Sequence, residues 1–331
     1  MSNFGNNLKK FSRYFISIIF LGFAVYIVIK NDYLSLLKNI TVFDFVVSIL
    51  FCWVFYIIGG LQIVYVLKKL DNVKFKFIDI LAFPFGQSLW GYIIPKGGIL
   101  YLSFIIKSKY NVGLKNTLSI SLFSYFVSFI FCGITGLVYS YKFNYRPEFV
   151  IISLLFLLSP LMFVAFAKIS GKVKTTDSSF LGKIKNILLE SNAFINNLWK
   201  NPSLIIGSVL IYVLRLICLS GWYYFLIVNF NFNYDYLDVV LISLLTEFLE
   251  IIRIIPGNFG LQELANGGLF YLISNNFVDG VFISLYTRVI ILFLTFTVGL
   301  YYVHINSEHF SFKEIKNTLL NFSSRNVGNY S

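Results

Sequence analysis

Apolar runs close to twenty residues long, separated by short polar stretches, recur from Tyr14 to Val303. A water-soluble domain of this length would alternate apolar and polar faces instead, so the pattern predicts an all-α polytopic membrane protein. Full spans are expected at roughly 14–30, 43–66, 117–140, 149–168, 203–228 and 280–303. Two further apolar regions, about 77–106 and 237–274, are interrupted by proline and glycine. A β-barrel would show short alternating segments, and none recurs here. The first run follows Lys9, Lys10 and Arg13 as a signal peptide would. No small-residue cleavage site follows it, so it is expected to be retained as a span.

Composition agrees: 57% of the 331 residues are hydrophobic and 13% charged. The net charge of +12 changes the picture only through its distribution. Lysines cluster in loops at 68–76, 107–115 and 168–200, whereas the loops near Asp32, Arg146 and Tyr234 are poor in basic residues. That is the positive-inside pattern and not a nucleic-acid surface; it places the amino terminus in the cytoplasm. Cys52, Cys132 and Cys218 all lie in apolar runs and are expected as buried small residues. His304 and His309 lack metal-ligand spacing, so no metal or other cofactor is expected.

Basic loops lie on both sides of 77–106, which should therefore enter and leave the membrane by the same face. Polar, uncharged or acidic loops flank 237–274, which should do the same from the opposite face. Reading either region as a single kinked span would put one of two strongly basic loops outside. Each region is thus expected to be a re-entrant pair of half-helices. Their turns are similar, Tyr92-Ile-Ile-Pro-Lys-Gly-Gly98 against Arg253-Ile-Ile-Pro-Gly-Asn-Phe-Gly260. Broken hydrophobic segments in corresponding positions point to an inverted repeat with a midplane site. A single membrane domain is expected over 1–310, with an amphipathic interfacial helix near 179–200 and a polar cytoplasmic tail over 311–331. The helix presents Leu181, Ile184, Leu188, Ile195 and Leu198 at helical spacing.

The chemistry concentrates at the second break. Glu247, Glu250 and Arg253 recur every three residues along one side of a helix, which allows Glu250 and Arg253 to pair. Pro256 ends that helix, Gly257 and Gly260 permit the turn, and Glu263 and Asn266 follow in the next half-helix. Pro95, Gly97 and Gly98 form the corresponding early turn, with Lys96 in it. Arg215 and Arg288 lie inside predicted spans, where charge is costly unless it faces a partner or a cavity. The four cations Lys96, Arg215, Arg253 and Arg288 outnumber Glu247, Glu250 and Glu263, so the cluster could accept an anionic headgroup. Pairing that only holds the bundle together is the competing reading. Asp44 and Asp79, near span ends, are expected at the interface.

The chain resembles the lysylphosphatidylglycerol synthase transmembrane region, a flippase-like family. The resemblance rests on Pro256-Gly257-x-x-Gly260-x-x-Glu263 and on Pro95 with Gly97 and Gly98. Ile99 stands where that family commonly has an acidic residue, and Gln262 where it often has arginine. Larger members carry a soluble aminoacyl-transferase domain, for which this sequence has no room. The resemblance therefore implies lipid translocation rather than aminoacyl transfer. It also keeps polyprenyl-phosphate lipids open as substrates, and envelope-synthesis proteins as partners.

The expected function is flipping of an anionic phospholipid or lipid-linked headgroup, not enzymatic conversion. No GxxxxGK[ST] motif is present to make ATP the direct driver. The alternatives are a lipid-modifying transferase, which the short external loops disfavour, and a scaffold for an envelope polysaccharide pathway.

Overall fold

The computed structural model describes residues 2–94, 97–112, 114–142, 150–160, 162, 201–251 and 256–307. Among these residues the chain is helical throughout its ordered elements, with no strand. The expected interfacial helix at 179–200 and tail at 311–331 lie outside the described residues.

Helix α1 runs from Ser2 to Lys30, then bends by 74° into a 3-10 segment, Tyr33–Asn39. The turn is made by Asp32 in a left-handed conformation (φ 58°). Helix α2, Val42–Asp71, opens on a reciprocal cap in which the Asp44 amide donates to Thr41 Oγ1 and the Thr41 amide to Asp44 Oδ2. This satisfies two donors that the first turn would otherwise leave unpaired. Asp44 is therefore a capping residue near a span end. Helix α3, Phe77–Ile93, contains Pro84, which cannot donate to the Ile80 carbonyl. Gly60 of α2 packs against that spot, where a Cβ would come within 2.5 Å of the Ile80 oxygen.

Helix α4, Gly97–Tyr110, folds back antiparallel on α3. Gly98 sits against the Gln87 carbonyl and Gly97 against that of Trp90; Trp90 stacks on Tyr101 at 6.1 Å, and Lys109 reaches Asp79. Pairing that runs from 90 with 97 to 79 with 109 is a hairpin. Helices α5 (Leu114–Lys142), α6 (Val150–Pro160) and α7 (Pro202–Asn229) follow. Helix α8, Tyr236–Ile251, and α9, Leu261–Ser274, make the second hairpin, with Thr246 bonded to Asn266 near its tip. At 14 to 17 residues, each arm is about 21–26 Å long, short of a hydrocarbon core of about 30 Å. Both hairpins therefore return the chain to the side from which it came, as the flanking charges predict.

Helix α10 runs from Phe277 to Ile305 with one π-helical turn at Thr295–Gly299. Among the described residues four helices are long and apolar enough to cross a membrane: α2, Phe123–Tyr141 of α5, α7 and α10. The bent Tyr14–Lys30 and Tyr33–Asn39 pair makes a fifth candidate. The span expected at 149–168 is described only in part, as the apolar but shorter α6.

Packing has a regular form. Helix α2 packs on α7, α3 on the π-turn of α10, and α5 on α8. Within each half, α2 packs on α3 as α7 does on α8, and α4 on α5 as α9 does on α10. Exchanging α2–α5 for α7–α10 leaves this set of contacts unchanged. Tyr101, Tyr212, Trp222, Phe270 and Tyr302 fill the interior, while Ile18, Phe43, Leu210, Leu272 and Tyr301 stay exposed. In a bilayer such outward apolar side chains meet lipid, which has no water for backbone groups and so demands helices.

Candidate functional site

The second break is a 3-10 turn, Pro256–Asn258, followed by Phe259 and Gly260. Gly257 (φ 62°), Asn258 (φ 49°) and Gly260 (φ 75°) are all left-handed, a conformation costly for most side chains. Gly260 has a second reason to be glycine: a Cβ there would collide with the backbone of Phe20 and Leu21 in α1. The turn is thus wedged against α1, which fixes where α9 begins.

Gln262 and Glu263 occupy the first turn of α9, and both are buried. A carboxylate there meets the positive end of the helix. Arg288, in the middle of α10, donates from Nε to Glu263 Oε1 at 2.8 Å and from Nη2 to Gln262 Oε1 at 2.7 Å. Its Nη1 donates to the Gly257 carbonyl at 3.1 Å and to the Tyr92 hydroxyl at 3.5 Å. The guanidinium lies 5.4 Å from the Phe259 ring centre and 5.8 Å from that of Tyr92; these two rings stack at 5.3 Å. One arginine thereby joins the tips of both hairpins to α10. Glu263 Oε2 is buried and meets no donor among the described residues.

A second ion pair links α7 to α8. Arg215 Nε lies 3.3 Å from Glu247 Oε1, and the Tyr212 hydroxyl donates to Glu247 Oε2 at 2.9 Å. Arg215 also covers Phe55 at 4.5 Å. Between the two pairs, Asn266 accepts from Thr246 at 2.9 Å and donates to Ser284 at 3.0 Å. The predicted intramembrane charges are thus brought together as Arg288 with Glu263 and Arg215 with Glu247. Pro95, Lys96 and Arg253 lie outside the described residues, as does the side chain of Glu250; the expected Glu250–Arg253 pair lies there too.

Two clefts meet at this centre. The first, a narrow cleft, has an aromatic wall with Phe55, Trp222 and Tyr223 and a polar wall with Thr246, Glu247, Gln262, Thr287 and Arg288. The second is lined by Tyr56, Ser88, Tyr92, Gly257, Asn258, Gln262 and Arg288. Gln262 and Arg288 are common to both.

Two polar clusters escaped the sequence reading. Asp79, expected at the interface, is completely buried: Lys109 binds it at 2.7 Å, Tyr302 donates to it at 2.5 Å, and Tyr110 donates as well. The hairpin register opposes Asp79 to Lys109, the one signal that could have paired them. Asp279, at the start of α10, accepts from Tyr33 at 2.7 Å and Tyr234 at 3.0 Å; Ser274 donates to Tyr234 at 2.7 Å. Burial, and after it the Asp279 charge, holds the Tyr234 phenol well above its ordinary pKa, so it stays a donor. The cysteines are buried or half-buried and unbridged, as expected; Cys132 lies against the Leu244 carbonyl.

These features define a polytopic helical membrane protein whose ion pairs gather where two broken hairpins meet. Its family is that of the lysylphosphatidylglycerol synthase TM region, to which the chain belongs; the family model matches residues 11–299. No curated protein and no solved structure matches the chain. Membership supports a role concerned with membrane lipid.

Proposed function

We propose that the protein moves an anionic lipid headgroup between the leaflets, with Arg288 as the group that receives its phosphate. One observation carries this reading: Arg288 and Gln262 are shared by two clefts, and the arginine's charge is held between them by Glu263. Arginine matches phosphate in bidentate geometry as it does carboxylate, so a headgroup can replace Gln262 at Nη2 and Tyr92 at Nη1 while Glu263 keeps Nε. Glu263 Oε2 is placed to accept a hydrogen bond from a headgroup hydroxyl during that exchange. Glu247, at the wall of the first cleft and paired with Arg215 behind it, steers the polar end, and the aromatic wall accommodates the adjoining apolar part.

The exchangeable packing of α2–α5 and α7–α10 supports an inverted repeat, in which the two hairpins enter from opposite faces and meet at the site. That arrangement suits alternating access around a fixed centre.

Reconstitution tests the proposal. Proteoliposomes should accelerate transbilayer movement of labelled anionic lipids over protein-free liposomes, and Arg288→Gln should abolish the gain. No acceleration across phosphatidylglycerol, phosphatidic acid and polyprenyl phosphate would sink it.

A further inference from the structure

The Asp79 and Asp279 clusters share a construction that the central site does not require. Asp79 stands at the base of the α3/α4 hairpin, and Lys109 and Tyr110 bind it from the far end of the other arm. Tyr302 then pins that base to the last turns of α10. At the other end of α10, Asp279 receives Tyr234, which is tied to Ser274 across the base of the α8/α9 hairpin. Tyr33 adds the segment after α1, and Asn276 donates to the Tyr33 hydroxyl at 3.3 Å. Each hairpin is thus closed at its base by a buried carboxylate and phenols, and both closures grip α10. Along that helix Asp279 and Tyr302 stand roughly 34 Å apart, about the thickness of the hydrocarbon core. Arg288 lies between them.

Between Arg288 and Tyr302 comes the π-turn, Thr295–Gly299. Such turns interrupt the regular ladder, are frequent at functional sites and are places where helices bend. Here it seats Gly299 on the Phe85 carbonyl of α3, where a Cβ would come within 2.8 Å. The Tyr302 end of α10 can therefore move with α3 and α4 while the Arg288 segment stays with α9.

We infer that the two carboxylate–tyrosine clasps are the gates of the pathway, each releasing to open the central clefts to one face while the other stays shut. The inference rests on the proposed lipid movement for its purpose, but not for its geometry. In the structure both clasps are made. The clasps are unequal. Asp79 has a cation, Lys109, at 2.7 Å, whereas Asp279 is held only by phenols among the described residues. A charge-assisted pair outweighs neutral donors, so the Asp279 gate releases more readily.

Cysteine labelling tests this without requiring transport. In a full-length protein lacking Cys52, Cys132 and Cys218, a reporter at Thr287→Cys lines the first cleft, and Lys74→Cys and Asn275→Cys mark the two faces. An impermeant maleimide is applied to right-side-out and inverted vesicles. Tyr302→Phe should raise reporter labelling from the Lys74 face about tenfold, the population shift expected when one hydrogen bond to a charged group is lost. Tyr33→Phe with Tyr234→Phe should raise it by at least as much from the Asn275 face, and these variants keep their ring packing. The unaltered clasps should label faster from the Asn275 face. Opening at the same face in both variants, equal increases at both faces, or no change overturns the gates. Sided opening without lipid flux would sink lipid movement and leave the gates standing; flux with unsided labelling would do the reverse.

Discussion

Arg288 and Glu263 show how one residue pair can serve both fold and site. Both are buried, and removing either partner leaves a charge with no water to solvate it, a loss of about 3–5 kcal/mol for pairs of this kind. Arg288→Ala should therefore lower thermal stability in detergent by that order. Pairing Glu263→Gln with Arg288→Met should cost clearly less than the two single changes added together. A double-mutant cycle by thermal unfolding checks this, and additive losses would show that the pair is not coupled. Glycines separate along the same line. Gly260→Ala meets the Phe20–Leu21 backbone at a left-handed φ and should abolish folded yield. Gly268 has nothing within 4 Å, so Gly268→Ala should be neutral or stabilise by up to about 1 kcal/mol. Gly267, beside it, packs against Val281 and Phe277, so of the two only Gly267 makes a close helix contact.

At the scale of elements, the decisive fact is that the two interrupted regions are hairpins and not kinked spans. Glycine sets the α3/α4 tip, because Gly97 and Gly98 let α4 start against the carbonyls of Trp90 and Gln87. Lysine and aspartate set its base. Lys109→Met should leave Asp79 buried beside phenols alone and cost about 3–5 kcal/mol. Lys109→Met with Asp79→Leu should recover part of that loss, measured by the same unfolding assay. No recovery would mean that Asp79 owes its place to the tyrosines rather than to the cation. Both turns were legible from their proline and glycine spacing. The base of the first hairpin was not, since Asp79 and Lys109 each look like ordinary span-end charges until the register opposes them.

For the whole molecule, hairpins that return to their own side set the sidedness of every loop between them. Cysteines at Lys74 and Lys107 should react with an impermeant reagent from one face, and cysteines at Asn231 and Asn275 from the other. Reaction of all four from a single face would break the topology and the inverted repeat with it. Thr287 is buried in the wall of the first cleft, so as cysteine it should react more slowly than any of these loop positions.

Sequence alone determined the class of protein, its interrupted regions and that Arg215, Glu247, Glu263 and Arg288, set in apolar runs, need partners. Those signals are local: run length, proline and glycine spacing, and the cost of an ion in hydrocarbon show wherever they occur along the chain. Only the tertiary structure decided the partners. Glu263 and Arg288 stand 25 positions apart, Arg215 and Glu247 lie on different helices, and Tyr302 meets Asp79 across 223 positions. Pairing of that range depends on how hairpins and spans dock, and docking is set by close-packed surfaces such as Gly60 on α3, Gly260 on α1 and Gly299 on Phe85. No periodicity encodes those contacts, because each exists only when two distant segments fit together.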